Sequence, residues 1–116
     1  MEFSATSRQG RVGTVIEVAG DLDMSTTPQL RDRLQELTEG DVRVVVVDLA
    51  GVGFMDSSGL GALVVGYKSL RERDGWLGVA GASPSVRRVF SITSVDRVIP
   101  LFDSVADAED GSSLVP

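Results

Sequence analysis

Two short stretches of the chain hold residues whose type and spacing can do chemistry. They are Gly20-Asp21-Leu22-Asp23 and Phe54-Met55-Asp56-Ser57-Ser58-Gly59-Leu60-Gly61. Together they supply carboxylates and hydroxyls. The chain contains no Cys and no His. A Ser-His-Asp triad, a thiol nucleophile, a Cys/His zinc site and a disulfide framework are therefore excluded, and no metal or cofactor is expected on the chain. What survives is carboxylate chemistry, hydroxyl chemistry, or a protein that binds rather than catalyses.

Ser57 stands where an apolar run gives way to a helical pattern. One reading makes it a helix N-cap, a role worth ~1 kcal/mol. Gly59 and Gly61 point further. Each costs about 1 kcal/mol relative to Ala inside a helix, so stability alone would not select them. They leave a low surface that another protein's backbone or active site can approach. A serine hydroxyl at such a place is also a phosphoacceptor. A phosphate adds about −1.5 to −2 charges, which a helix N-terminus tolerates through its free amides and dipole. The fold would survive while the surface changed, and like-charge contact across an interface costs several kcal/mol.

Charge and near-miss motifs narrow the alternatives. With 11 Lys+Arg against 17 Asp+Glu, the net charge of −6 opposes binding to a phosphate backbone. Gly51-Val52-Gly53 follows a strand, but Asp56 takes the place of the third glycine of a dinucleotide fingerprint. Gly61 to Ser69 imitates a phosphate loop, but its interior belongs to a helical stripe whose amides are already bonded. Asp48 imitates a receiver-domain phosphoacceptor with Asp21 and Asp23 as its acidic pair. Lys68 is the last lysine, so the required later cation is missing and Asp48 reads as a polar strand end. Met1 to Gly10 lacks an apolar core, and no apolar run approaches the ~18–20 residues of a membrane span. A soluble cytoplasmic protein is expected.

The elements that must position these residues follow from periodicity. Phe3–Ser7 and Val12–Val18 read as strands, the second broken by Gly20. Thr26 and Gln29 fit a capping box with Pro28 in the first turn, and Leu30, Leu34 and Leu37 trace a helix that ends at Gly40. Val42–Leu49 is apolar on both faces, as in a sheet covered on both sides. Ala50–Asp56 reads as a turn. A second helix starts near Ser57, with Leu60, Leu63, Val64, Tyr67 and Leu70 as its buried stripe, and closes at Asp74-Gly75. Trp76–Ala80 is a strand, Ser83-Pro84 starts a third helix with Val86, Val89 and Phe90 inward, Val98–Phe102 is a last strand, and Asp103–Asp110 a short acidic helix. The order β-β-α-β-α-β-α-β-α predicts an α/β sandwich on a mixed, mostly parallel sheet. One domain is expected over residues 1–110. Residues 111–116 read as a flexible C-terminal tail, and Leu114-Val115-Pro116 resembles the remnant of a protease-cleavable tag.

Gly-Asp-Leu-Asp followed by Phe-Met-Asp-Ser-Ser-Gly-Leu-Gly, in this order and spacing, resembles the STAS domain of bacterial anti-sigma factor antagonists. Ser83-Pro84-Ser85-Val86-Arg87-Arg88-Val89-Phe90 is similar to that family's third helix, and the resemblance runs over residues 3–110. At Asp21 the chain departs from the family, which more often has Glu. The resemblance implies that Ser57 is the phosphorylated serine and that Ser58 is not the usual acceptor. It places Asp21, Asp23, Asp56, Ser57, Ser58 and Gly59 on the partner-binding surface. Asp56 would hold Ser57 and shape recognition, or cap the turn; Asp21 and Asp23 would recognise the partner, or be solvated turn residues. The implied partner is an anti-sigma factor that is also an ATP-dependent serine kinase. The unmodified antagonist binds it and frees the sigma factor, phosphorylation ends the complex, and a metal-dependent serine phosphatase resets it. The chain itself would be no enzyme. Two other readings stay open: a STAS scaffold or transporter-associated regulator with a non-kinase partner, and a nucleotide-binding domain.

Overall fold

The computed structural model describes residues 2–112. The chain runs β1 (Ser4–Gln9), β2 (Thr14–Leu22), α1 (Thr27–Glu39), β3 (Val44–Met55), α2 (Ser57–Arg71), β4 (Trp76–Ala80) and α3 (Pro84–Ile92). A single 3-10 turn at Val95–Arg97, β5 (Leu101–Phe102) and α4 (Val105–Ser112) complete it. The sheet order is β1-β2-β3-β4-β5. β1 pairs antiparallel with β2, and every later pair is parallel. The expected element order and mixed α/β sheet are borne out.

Strand alternation sorts the core into two layers. Val45, Val47 and Leu49 of β3 join Leu30 and Leu34 of α1, Leu60, Leu63 and Leu70 of α2, and Val86 and Phe90 of α3. Val46 faces the other way with Val15, Trp76 and Ala80, where Ala108 of α4 covers the sheet. Val45, Val46 and Val47 are 0%, 1% and 0% exposed, so the strand is buried on both faces as its composition requires. Each fully buried aliphatic or aromatic side chain of this set contributes roughly 1.5–3 kcal/mol.

Four boundaries differ from the sequence pattern. Gly20 does not end β2; it takes φ +101° and lies where an added Cβ would sit 3.1 Å from Phe3 Cα, so only glycine passes. The strand continues to Leu22 through two register irregularities against β3. Likewise the expected turn at Ala50–Asp56 is strand up to Met55. Gly51 serves close approach there, since a Cβ would meet Ala19 Cβ at 3.0 Å. The last strand is reduced to Leu101–Phe102, because the segment before it winds into the 3-10 turn and buries Ile99. Finally, α4 runs through Gly111 and Ser112, whose hydroxyl donates to Glu109 O at 2.7 Å. The expected tail therefore cannot start at 111, and residues 113–116 lie outside the described residues.

The helix starts differ in part as well. Thr26 precedes α1 but makes no side-chain cap bond to it, so the capping box with Gln29 does not form. Ser83 does cap α3, accepting from Val86 N at 3.4 Å. Asp48 ends the β3–β4 ladder and accepts from Ala50 N at 3.0 Å, as a polar strand end should. Because β2, β3 and β4 are parallel, α1, α2 and α3 all start at the same edge of the sheet. That edge carries both stretches of interest.

Candidate functional site

The C-terminal ends of β2 and β3 lie side by side, with Asp21 in register with Phe54 and Leu22 with Met55. Asp56 N donates to Leu22 O at 2.9 Å and fastens the start of α2 to the end of β2. Asp56, not Ser57, is the N-cap of α2. Its Oδ1 accepts from Ser58 N at 2.8 Å, Gly59 N at 3.3 Å and Ser58 Oγ at 2.5 Å. The aspartate thereby satisfies two of the orphan donors of the first turn.

Ser58 is held from both sides. Its hydroxyl lies 3.0 Å from Thr27 Oγ1 at the start of α1, and Thr27 is 1% exposed. Ser57 is different. It occupies the first helical position, faces solvent, and its hydroxyl has no hydrogen-bond partner among the described residues. Two neighbouring serines of identical chemistry are thus separated into one locked and one free hydroxyl.

A second carboxylate repeats the pattern. Asp23 Oδ1 accepts from Ser25 N at 2.9 Å, Ser25 Oγ at 2.6 Å and Thr26 N at 3.2 Å. Thr26 Oγ1 donates to Asp21 O at 2.6 Å and accepts from Asp23 N at 3.0 Å, so its hydroxyl is used to close the loop rather than to cap α1. Both carboxyls are held below the usual carboxylate range. For Asp56 the main cause is the Ser58 hydroxyl, and for Asp23 the Ser25 hydroxyl and amide. The charge of Asp23 pushes Asp56 in the opposite direction, which places the two anions in one electrostatic neighbourhood.

Of the expected site residues, the fold gathers Asp23, Asp56, Ser57 and Ser58 around the two helix starts. Asp21 is exposed beside them and lends the cluster its backbone carbonyl. Gly59 requires correction as a surface residue. It is buried, and an added Cβ would meet Met55 Cγ at 3.0 Å and Leu22 Cβ at 3.1 Å. Its glycine serves packing between α2 and the strand ends. The open position is Gly61, where a Cβ would meet nothing within 4 Å. Sequence reasoning missed Thr27, whose hydroxyl acts across 31 positions of chain. It also passed over Ser25, although its spacing from Asp23 equals that of Ser58 from Asp56.

Among the described residues, no group of three or more Asp or Glu side chains is placed to hold a metal ion. No helix among them is long and apolar enough to cross a membrane. A recess of about 710 Å³ lined by Arg8, Arg11 and Arg43 lies at the β1–β2 turn, away from Ser57. Its Arg11 is engaged by Glu109 at 3.4 Å and Asp110 at 2.7 Å.

Fold and site define a small α/β domain that presents a free serine at the start of a helix on the carboxyl edge of its sheet. The STAS domain family model matches residues 4–108, and the chain belongs to that family. It is 37% identical over 86 residues to an anti-sigma-B factor antagonist of Listeria monocytogenes, covering 74% of this chain and 75% of that protein. The anti-sigma-B factor antagonist of Staphylococcus aureus is 36% identical over 80 residues, or 69% of this chain and 74% of that one. Among solved structures, an anti-sigma factor antagonist from Mycobacterium paratuberculosis superposes with a TM-score of 0.88 at 28% identity, over 97% and 95% of the two chains. Unphosphorylated SpoIIAA, an anti-sigma factor antagonist, gives 0.77 at 25% identity over 94% of both chains.

Proposed function

We propose that this chain is an anti-sigma factor antagonist, a non-enzymatic cytoplasmic switch controlled by phosphorylation at Ser57. The unmodified form binds an anti-sigma factor that is also a serine kinase and so releases its sigma factor. The observation that carries the reading is the difference between the two serines: Ser57 Oγ is exposed and has no hydrogen-bond partner among the described residues, whereas Ser58 Oγ is tied to Asp56 and Thr27. The relatives named anti-sigma-B factor antagonists support the partner class.

In the transfer step, Ser57 Oγ attacks the γ-phosphorus of ATP, ADP leaves, and the hydroxyl proton passes to a base of the kinase. Nothing on this chain need act as that base. Asp56 accepts three hydrogen bonds in its capping role and positions the helix start that carries Ser57. A metal-dependent serine phosphatase hydrolyses the ester and restores the hydroxyl.

The switch acts through charge. Asp56 already occupies the amides of Ser58 and Gly59, so a phosphate on Ser57 lies beside a carboxylate rather than in an empty helix N-terminus. About −1.5 to −2 charges are added next to Asp21, Asp23 and Asp56. Each ~1.4 kcal/mol of repulsion at the interface is a tenfold loss of affinity, and Ser57 points away from the core, so the fold persists.

The test is incubation with ATP and each candidate serine kinase/anti-sigma factor of the same genome, read by intact mass and peptide mapping. One phosphoryl group on Ser57 is expected. Ser57→Ala should take up none, whereas Ser58→Ala should still be labelled. Stoichiometric labelling of Ser57→Ala would overturn the site assignment.

A further inference from the structure

Six large apolar side chains are exposed among the described residues: Val12, Met24, Phe54, Val65, Ile92 and Val98. Single exposed apolar residues are ordinary. Two of these six, however, lie within two positions of Asp23 or Asp56 along the chain. Met24 follows Asp23 and is 79% exposed, the highest value of the set; Phe54, two positions before Asp56, is 52% exposed.

The backbone explains both positions. Asp23 Oδ1 grips the amide and hydroxyl of Ser25, and the intervening Met24 stands out in solvent. Asp56 grips Ser58 in the same way and leaves the intervening Ser57 exposed. Phe54 sits on the part of β3 beyond Asp48, where β4 no longer pairs with it, and its strand neighbour across the ladder is the exposed Asp21.

The surroundings state what kind of surface covers them. Residues 20–30 and 44–67 contain no Lys or Arg. Asp23 and Asp56 are held in the charged form by their hydrogen bonds. Exposed apolar side chains next to such carboxylates are complementary to an apolar surface edged with basic groups. Protein interfaces are arranged this way, with Met and aromatic residues enriched at their centres and charges at the margin. Methionine adapts its shape to a partner at low strain. Any active site that reaches Ser57 must also lie over its immediate neighbours.

We propose that Met24 and Phe54 are the apolar anchors by which the anti-sigma factor docks on the Ser57 face, and that the partner meets them with an apolar surface bordered by Arg or Lys side chains. This inference rests on the function proposed above and adds the residues that carry affinity. The roles divide. The carboxylates steer association and make it salt-dependent, while the anchors set how long the complex lasts. Phosphorylation then opposes the complex through charge and leaves the anchors unchanged.

The experiment measures binding kinetics of the full chain to each immobilised anti-sigma factor of the same genome, at two salt concentrations. Met24→Ser, Phe54→Ala and the double variant are compared with Ile92→Ser, an equally solvent-facing apolar site (75% exposed) at the C-terminal end of α3. All the substituted positions are exposed, and thermal melts verify the folds. Each anchor variant should bind about tenfold more weakly, mainly through faster dissociation and with unchanged salt dependence, as expected of centrally buried contacts. The double variant should lose about 100-fold, and Ile92→Ser less than about twofold. If the parent binds and the double variant stays within about threefold of it, the anchors are refuted while the proposed function stands. If the unmodified parent binds none of the anti-sigma factors, the function fails and the anchors fail with it.

Discussion

The starts of α1 and α2 solve one problem twice. In each, an aspartate at a strand end accepts from the amide and hydroxyl of the serine two positions on, Ser25 for Asp23 and Ser58 for Asp56. In each, the residue between them is exposed: Met24 in the first, Ser57 in the second. Beyond those serines the two segments diverge. After Asp23 the chain spends three residues in a loop before Thr27 and the rigid Pro28 begin α1. After Asp56 the helix begins at once, with Gly59 and Gly61 in its first turns. One cap thus displays an apolar side chain on a loop, and the other displays a hydroxyl on a helix start.

The contrast is tested most severely at the two capped serines. The buried Thr27 hydroxyl bonds to the Ser58 hydroxyl, so Ser58→Ala takes that partner from a polar group in the interior. A loss of about 1–3 kcal/mol is expected in urea denaturation. Ser25→Ala removes an exposed hydroxyl and should cost no more than about 0.5 kcal/mol. Equal losses would mean that the caps do not differ in how they are anchored.

A smaller and opposite effect is expected at the glycines. Gly61→Ala adds a methyl group in open space within a helix and should stabilise the protein by about 1 kcal/mol. Gly59→Ala forces its methyl group against Leu22 and Met55 and should fall short of that gain or reverse it. Thermal denaturation of the two variants decides this. Matching gains would remove the packing argument for Gly59.

The smallest effect concerns acid. Both carboxyls have folded-state values below their unfolded ones, so their stabilisation is complete above the unfolded value, near pH 4. It is lost as pH falls through the folded values. Asp56→Asn should therefore flatten the acid limb of a stability–pH curve and leave neutral pH less stable than the parent. A phosphate on Ser57 raises the Asp56 carboxyl by like-charge repulsion and moves the onset of its titration to higher pH, with a smaller change at Asp23. Carboxyl chemical shifts followed through an acid titration of both forms provide the readout; an unmoved Asp56 would contradict the proposed proximity.

Much of this fold is legible in local pattern. The valine run of β3 announces a strand covered on both sides, and Trp76–Ala80 is placed without error. Ser83-Pro84 starts a helix where short-range capping and a preset φ predict it. The errors lie where long-range pairing overrides the local signal. Gly20, Gly51 and Gly53 read as breakers because glycine is disfavoured in strands, yet β2 and β3 run through them to hold their ends together. Thr26 has the right spacing for a capping box, but the carbonyl of Asp21 takes its hydroxyl.

The candidate site divides along the same line. Residue types and spacing alone establish that hydroxyls and carboxylates gather in two short stretches, that the chain has no His or Cys, and that a helix begins near Ser57. Those features depend on composition and on contacts within a few residues. Which serine is free, and which glycine is surface, is settled only in three dimensions. Thr27 reaches Ser58, and Leu22 meets both Asp56 N and the space beside Gly59, only after β2 and β3 are laid parallel with α1 and α2 packed above them. A hydroxyl's availability depends on what else is within about 3 Å of it, and distant segments of chain supply those atoms.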